Sequence, residues 1–452
     1  HGKGPRVLRT VIRKGDRINC LLTDLSEPRY PSVGAAVPSA VVYERTLAEM
    51  SGVEPVDHPY PVPNMYWRKG NGYPLQKEPY SIEGEVRIPL PSNEVTGSSI
   101  FEIPVGPVHA GVIEPGHFRF SVAGEPILNL RIHLGYVHKG IEKMMESGPI
   151  DSHMRLVERI SGDTAVAHSM AYAHVLEGDM EVPSRAGYIR VILSELERIH
   201  NHLDVVTGLC VDTAFSVAAA YGQEARERVL RLNRELFGSR MLMGNIVPGG
   251  VRRDLNKLQL EKLELTMLQT EAAASKMEKI IKSTPSEIDR LETTGHLSRQ
   301  HADELGTVGP IARASGVVSD VRADLPYDAY RVLNFNVASS TKGDVLARGF
   351  VRIKCIRESV SLILQAIGDM TDGPLRTEVK PVDGVSCGIV EAPRGELVHT
   401  AEISGGKIWR YNVRDPSFVN WQALELAVLG NIVPDFPVIN KSFGLSYSGN
   451  DL

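Results

Sequence analysis

The sequence predicts an α+β fold, a central bundle of long helices with β structure before and after it, and three observations carry that expectation. Between Ser184 and Leu203, apolar residues fall at Ile189, Ile192, Leu193, Leu196, Ile199 and Leu203, the stripe of a helix packed against a core. Ile353, Ile356, Val360, Ile363 and Ile367 recur at alternating spacings of three and four, which suits close packing on neighbouring helices. From Ile100 to about Leu130 the pattern instead alternates as a strand does, for example in Phe118-Arg119-Phe120-Ser121-Val122 and Ile127-Leu128-Asn129-Leu130.

The elements follow in order. Residues 5–30 read as short strands, Arg6–Ile12 and Cys20–Thr23, flanking the turn-like Lys14-Gly15-Asp16. A helix is expected over about Ser39–Ser51, entered after Pro38 and stopped by Gly52. Residues 54–98 carry prolines at 55, 59, 61, 63, 74, 79, 89 and 91 together with Gly70 and Gly72, a density that predicts an extended linker or wrapping arm. The chain is therefore divided into 1–60, an arm over 61–98, and a main domain over 99–452. Long helices are expected at about 151–177, 213–240 and 255–283, and a second β-containing piece at about 380–412. On the Ser184–Leu203 helix, Arg190, Glu197 and Asn201 lie on the side opposite the apolar stripe.

Composition removes several classes of function. The 452 residues are 23% charged and 42% apolar, ordinary globular usage that excludes wholesale disorder and allows two or three domains. A formal net charge of −5 is the wrong field for a nucleic-acid binder. No apolar run reaches the roughly 18 residues that a spanning helix needs, and His1-Gly2-Lys3-Gly4 is not followed by the apolar block of a secretory signal. Cys20, Cys210, Cys355 and Cys387 stand alone, without a Cys-x-x-Cys pair. That spacing excludes a cysteine-ligated zinc or iron–sulfur cluster held by this chain alone, and reads as isolated thiols in a reducing cytosol.

Three segments are more specific than composition. They are Gly106-Pro107-Val108-His109-Ala110-Gly111 with Glu114-Pro115-Gly116-His117-Phe118, then Leu134-Gly135-Tyr136-Val137-His138-Lys139-Gly140-Ile141-Glu142-Lys143, then Glu391-Ala392-Pro393-Arg394-Gly395-Glu396. In this order and spacing they resemble the family that unites the 49-kDa subunit of respiratory complex I with the large subunit of membrane-bound, group 4 nickel–iron hydrogenases. Val182-Pro183 through Arg198, Asn201-His202-Leu203 and Ala314-Ser315-Gly316-Val317 fit the same family, so the resemblance covers roughly 100–452. Tyr43-Glu44-Arg45, Glu49, Gly52-Val53 and His58-Pro59 resemble the closing part of the complex I 30-kDa subunit, which formate-hydrogenlyase-type large subunits carry ahead of the hydrogenase domain. The resemblance therefore implies a small, partial 30-kDa-like α+β segment followed by a 49-kDa-like bundle.

The chain departs from both branches of that family at the site. Hydrogenases of this kind hold nickel and iron through two Cys-x-x-Cys pairs; here Ser161 and Thr164 stand at the first pair of positions, and Ser446 and Gly449 at the second. Nickel in such a site needs soft anionic sulfur, which a neutral hydroxyl does not replace, so no metal is expected to be bound by this chain. The quinone branch places a tyrosine where this chain has Gly162, although His109 or His117 matches the histidine partner of the quinone.

What the resemblance preserves is the frame. His168 falls where hydrogenases keep a histidine beside the cluster, Arg394 matches the arginine facing the iron's diatomic ligands, and Glu142 matches a glutamate assigned to proton delivery. The implied site residues are Glu142, His168 and Arg394 in proton or acceptor roles, with His109, His117, Ser161, Thr164 and Ser446 lining the cavity. His200 and His202, two apart on one helix, point in different directions and are not expected to share a metal.

The expected function is that of a redox subunit in a membrane-associated, complex-I-like, ion-pumping oxidoreductase. Its implied partners are an iron–sulfur small subunit like the complex I 20-kDa subunit, a ferredoxin-like 4Fe-4S subunit, and antiporter-type membrane-arm subunits. It is expected at the cytoplasmic face of the membrane, with no nucleic acid. The 4Fe-4S clusters would sit in the partners, and the acceptor would be a quinone or a small oxidant such as a sulfur compound. A coupling scaffold without catalysis, and a hydrogenase with an atypical metal site, are the competing readings.

Overall fold

The computed structural model describes residues 6–77, 81–87, 95, 97, 99–111 and 113–452. Four long helices form the bundle: Ser184–Asp212, Ser216–Phe237, Lys257–Lys282 and Val345–Asp369. Their ends follow local chemistry. The Asp344 carboxylate accepts from the Ala347 N–H at 2.8 Å to open the last of them, and Asn256 and Gln259 form a reciprocal capping box at the start of Lys257–Lys282. Gly238, at φ 77°, closes Ser216–Phe237, and Gly52, at φ 75°, closes the helix Val41–Ser51 where the sequence places its stop.

Both apolar stripes read from the sequence are in the core. Ile189, Ile192, Leu193, Leu196 and Ile199 are fully buried, as are Ile353, Ile356, Val360 and Ile363. The side of Ser184–Asp212 that carries Arg190, Glu197 and Asn201 is buried as well. This helix runs through the middle of the domain, and its charges are neutralised by neighbours rather than by water. Arg190 donates to Glu177 at 3.0 Å and to Asp328 at 3.2 Å. Glu195 accepts from Arg198 at 3.1 Å, Arg322 at 3.0 Å and Ser359 at 2.6 Å. Removing one partner from such a group would strand a charge in the core, the costly case for buried ions.

Two antiparallel sheets flank the bundle. Ile100–Val105, His117–Ala123 and Ile127–His133 form the first, on which Phe118 and Phe120 each meet the Phe436 ring at 4.9 Å. Gly384–Ala392, Gly395–Ser404 and Lys407–Arg414 form the second, lying on the helix Ala165–Glu177. Within it Ala401 pairs with Tyr411 and His399 with Val413, so His399 and Tyr411 share one face.

The N-terminal strands pair as the hairpin Arg6–Lys14/Arg17–Leu25, and Arg9 and Arg13 ion-pair with Glu402 and Glu396 of the second sheet. In the proline-rich stretch, the Glu49 carboxylate accepts from the backbone N–H of Asn64 and Tyr66 at 2.9 and 3.0 Å. Further on, Arg68–Asn71 pairs antiparallel with Ser81–Arg87. Pro79, Pro89 and Pro91 lie outside the described residues.

The helix expected over 151–177 is not continuous. Ser161 is extended at φ −145° and ψ 112°, a 3-10 turn covers Gly162–Thr164, and the α-helix restarts at Ala165. The periodicity of Ala165–Glu177 extends backwards only in appearance, because Gly162 and Asp163 are poor helix formers and the Asp163 carboxylate is engaged elsewhere. The interruption falls at the candidate site.

Candidate functional site

The break at Ser161–Thr164 exposes the first N–H groups of the helix that follows. No residue of its own caps them; instead the Glu197 carboxylate reaches across from the central helix and accepts from Val166 at 2.6 Å and Ala167 at 3.0 Å. Burial pushes the Glu197 carboxyl up to about 8, against those two N–H bonds. Opposite the break, Gly444 at φ 63° ends the helix Phe436–Phe443, and Ser446 opens the short helix Tyr447–Asp451 by accepting from the Gly449 N–H at 2.9 Å.

These two segments meet hydroxyl to hydroxyl. Ser161 Oγ and Ser446 Oγ are 2.8 Å apart, and Ser161 also donates to Asp163 Oδ1 at 2.7 Å. Each hydroxyl has one proton to give, and a carboxylate only accepts. The Ser161 proton therefore goes to Asp163, and Ser446 donates to Ser161. Thr164 Oγ1 closes on the Ser161 carbonyl at 3.4 Å.

Arg394, in the turn between the first two strands of the second sheet, covers this pair. Its guanidinium forks onto Asp163, with Nη1–Oδ1 at 3.2 Å and Nη2–Oδ2 at 2.5 Å, while Nε donates to the Gly444 carbonyl at 2.6 Å. Burial pushes the Asp163 carboxyl up, but Arg394 outweighs it and holds Asp163 well below the usual carboxylate range. The charge of Arg394 is thus matched by this chain's own carboxylate.

Asp415 lies on the other side of Gly449. It caps the helix Pro416–Ala427 by accepting from the Ser417 N–H at 2.7 Å. A Cβ built on Gly449 would lie 2.8 Å from Asp415 Cγ, so the carboxylate occupies the space that a side chain at position 449 would fill. His168 Nε2 is 3.4 Å from Asp415 Oδ2, and His168 Nδ1 is 3.0 Å from His399 Nε2.

Glu142 follows Gly140, which at φ 71° turns the chain into the short helix Ile141–Met145. Its carboxylate accepts from the Asn412 side chain at 2.7 Å and the Val413 N–H at 2.9 Å. Burial raises it to about 7 against those bonds and the Arg410 charge. Lys139 bonds to the Ile160 carbonyl at 3.2 Å.

The expected set therefore divides. Ser161, Thr164, Ser446 and Arg394 come together, and His168 joins them through Asp415. Glu142 lies along the third strand of the second sheet. His109 satisfies the Gly116 carbonyl at 2.7 Å, and the His117 ring stacks on His133 with centroids 6.0 Å apart. The loop bearing both packs on the C-terminal segment, where Glu114 accepts from the Ser448 N–H at 3.0 Å. Neither histidine is bonded to the Ser161–Ser446 pair.

Sequence reasoning missed Asp163, Asp415, Glu197, His399 and Tyr411. Two had a signal. Asp415-Pro416 is a helix-start dipeptide, and His399 is the odd member of the buried row Leu397, His399, Ala401, Ile403. His200 and His202 are both buried and are not bonded to each other; His202 Nδ1 faces Arg352 at 3.3 Å. Among the described residues, no group of three His, Cys, Asp or Glu side chains could hold a metal ion, and no helix is long and apolar enough to cross a membrane.

Comparison with known proteins places this arrangement. The profile of the respiratory-chain NADH dehydrogenase 49 Kd subunit matches residues 212–384 and 377–451, and that of the 30 Kd subunit matches residues 7–85. Formate hydrogenlyase subunit 5 of Escherichia coli K12 is 33% identical over 95% of this chain and 78% of its own length. The carbon monoxide-induced hydrogenase of Rhodospirillum rubrum is 35% identical over 76% of this chain and 97% of its own. The C/D-type NADH-quinone oxidoreductase subunit of Bacteroides thetaiotaomicron is 30% identical over 88% and 80%.

A chain in the structure of the membrane-bound sulfane sulfur reductase, an archaeal respiratory membrane complex, superposes with a TM-score of 0.73 at 27% identity, covering 78% of this chain and 99% of that one. The protein is thus of the class of oxidoreductase subunits related to complex I and the membrane-bound hydrogenases. It belongs to the family of the 49-kDa subunit of respiratory-chain NADH dehydrogenase, with a 30-kDa-type segment ahead of it.

Proposed function

We propose that this chain is the redox subunit of a membrane-associated, ion-pumping oxidoreductase, forming the acceptor site beside an iron–sulfur small subunit without a nickel–iron centre of its own. The observation that carries this reading is the 2.8 Å contact between Ser161 and Ser446, two of the four positions at which hydrogenases of this family hold thiolates. The donor set around it is two serine hydroxyls, a threonine hydroxyl already turned to the backbone, and a glycine whose side-chain space holds Asp415. Hard, neutral oxygen donors do not suit nickel, and of the two nearby carboxylates Asp163 is spent on Arg394 and Asp415 caps a helix through the Ser417 N–H. The residues present do not fit a nickel–iron centre.

On this reading the 4Fe-4S clusters belong to a 20-kDa-like small subunit and a ferredoxin-like subunit, and antiporter-type subunits form the membrane arm at whose cytoplasmic face the chain sits. The acceptor is a quinone or a sulfur compound. Arg394 supplies positive charge where an acceptor gains electrons, and His168 and Glu142 are the titratable groups placed to balance them with protons.

The site's closure favours a second reading, a scaffold that only couples neighbouring subunits. One assay separates the readings. The purified complex is given dithionite-reduced methyl viologen, with decylubiquinone or dimethyl trisulfide as acceptor, and its nickel content is measured. Acceptor reduction that falls at least about tenfold in Arg394→Lys, where a planar fork is replaced by a point charge, supports the redox reading. An undiminished rate in that variant leaves the scaffold. About one nickel per chain together with hydrogen evolution would establish a hydrogenase.

A further inference from the structure

Behind the Ser161–Ser446 site, four polar side chains stand in a single file through the core. Tyr411 OH contacts His399 Nδ1 at 2.5 Å, His399 Nε2 contacts His168 Nδ1 at 3.0 Å, and His168 Nε2 faces Asp415 Oδ2 at 3.4 Å. Tyr411, His399 and His168 are wholly inaccessible, and Asp415 is 2% exposed. His399 and Tyr411 interrupt an otherwise apolar sheet face, beside Leu397, Ala401 and Ile403. A face built for stability alone would carry apolar side chains there, since each buried polar group must be matched by a partner.

The partners also give the file a direction. Asp415 can only accept, so the Nε2 of His168 that faces it carries the proton; the opposite tautomer would set a lone pair against a carboxylate. With Nε2 protonated, the Nδ1 of neutral His168 accepts, and the Nε2–H of His399 donates to it. His399 Nδ1 then accepts in turn, and the donor is the Tyr411 hydroxyl. The links from Tyr411 to His399 and from His399 to His168 are then satisfied hydrogen bonds with both imidazoles neutral, while His168 Nε2 approaches Asp415 Oδ2 at 3.4 Å without hydrogen-bond geometry. Burial lowers His399 well below the ordinary histidine range, in keeping with a neutral ring.

We propose that Tyr411, His399, His168 and Asp415 form a proton relay that delivers protons through the core to the Ser161–Ser446 site. The transfer balances. The His168 Nε2 proton moves to Asp415, the His399 Nε2 proton to His168 Nδ1, and the Tyr411 proton to His399 Nδ1, while Tyr411 takes up one proton from its outer side. One proton enters, one arrives on Asp415, and the three intermediate groups are neutral, with both imidazoles in the opposite tautomer that must revert before a second proton follows. Burial keeps the Tyr411 phenol well above its ordinary range, which opposes a free phenolate and favours a concerted shift. Glu142 is the buried acid on the entry side, its carboxylate bound by Asn412 and Val413, the two residues that follow Tyr411 on the strand. At the other end, Asp415 abuts Gly449 and feels the charge of Arg394.

The inference rests on the redox reading above, and the test separates the two. The assembled complex is assayed with dithionite-reduced methyl viologen against decylubiquinone and, separately, dimethyl trisulfide. Tyr411→Phe should assemble with unaltered iron–sulfur signals in electron paramagnetic resonance and an unchanged KM. Its rate at saturating acceptor should fall at least about tenfold, and its solvent deuterium isotope effect should exceed that of the wild type. His399→Gln keeps a donor and an acceptor in the file yet cannot pass a proton, and should behave alike; it also serves if Tyr411→Phe does not assemble. Wild-type rate and isotope effect in both variants, with Arg394→Lys slowed, would overturn the relay and leave the redox site standing. Wild-type rates in all three, or a wild-type complex that reduces neither acceptor, would overturn both.

Discussion

Substituting Glu142→Gln should push stability and activity in opposite directions. The carboxylate is buried against Asn412 and Val413, and burial raises it to about 7. A glutamate in the unfolded chain titrates near 4.3, and each pH unit between the two values is worth about 1.4 kcal/mol. Between those values the folded chain holds a proton that the unfolded chain has released. The contribution to stability is therefore complete below about pH 4.3 and is lost as pH rises to about 7, up to about 4 kcal/mol. Glutamine has nothing to lose in that window. Its oxygen keeps the bonds from Asn412 and Val413, while its NH₂ must find an acceptor, at a cost of about 1 kcal/mol if it finds none. The net expectation is a variant about 2–3 kcal/mol more stable than wild type at pH 8 and no more stable at pH 5. Turnover should fall at least about tenfold, the low end of general acid–base effects. Urea unfolding of the purified complex across pH 5–8, alongside the acceptor-reduction rate, reads both quantities. Superimposed pH–stability profiles would refute the burial argument, and an unchanged turnover would refute the proton role.

Three further outcomes follow from the site. Gly449→Ala should lower the unfolding midpoint, because its Cβ would sit 2.8 Å from the fixed Asp415 carboxylate. Overpacking of that kind costs about 1–3 kcal/mol against a helix gain of about 1 kcal/mol, so a raised midpoint would contradict the packing. Asp163→Asn should cost about 1–2 kcal/mol by leaving Arg394 unmatched, a figure kept small because the Asp163 side chain is 36% exposed. Asp163 is held below its unfolded value, so its stabilisation is present above about pH 3.9 and is lost as pH falls. The gap to wild type should therefore narrow in acid, and a constant gap down to pH 3 would speak against the ion pair. Ser161→Cys alone should bind no stoichiometric nickel by elemental analysis, since one thiolate does not replace four.

The bundle was legible because its evidence is local. The stripes of Ile189–Leu203 and Ile353–Ile367 follow the helix period, Gly52 announces a stop by its left-handed turn, and Phe118–Val122 alternates as a strand must. Ser161, Thr164, Ser446 and Arg394 were singled out by resemblance rather than by periodicity, and the fold sets them side by side.

Pairing across long separations was not legible. Hydrophobic periodicity marks which side of Ser184–Asp212 is apolar, but not that the charged side is buried too; that depends on Glu177, Asp328 and Arg322 arriving from other elements. Ser161 meets Ser446 across 285 residues, Arg394 meets Asp163 across 231, and His168 meets His399 across another 231. A lone histidine in a strand and an aspartate before a proline each have an ordinary local explanation. Only the folded chain connects them through His168, 3.0 Å from His399 and 3.4 Å from Asp415. The sequence by itself determined the long helices of the bundle, the strand alternation of Phe118–Val122 and that Ser161, Thr164, Ser446 and Gly449 are not cysteines. The tertiary structure decided which charges neutralise one another and which buried polar groups meet, because those depend on distances of about 3 Å that no local pattern encodes.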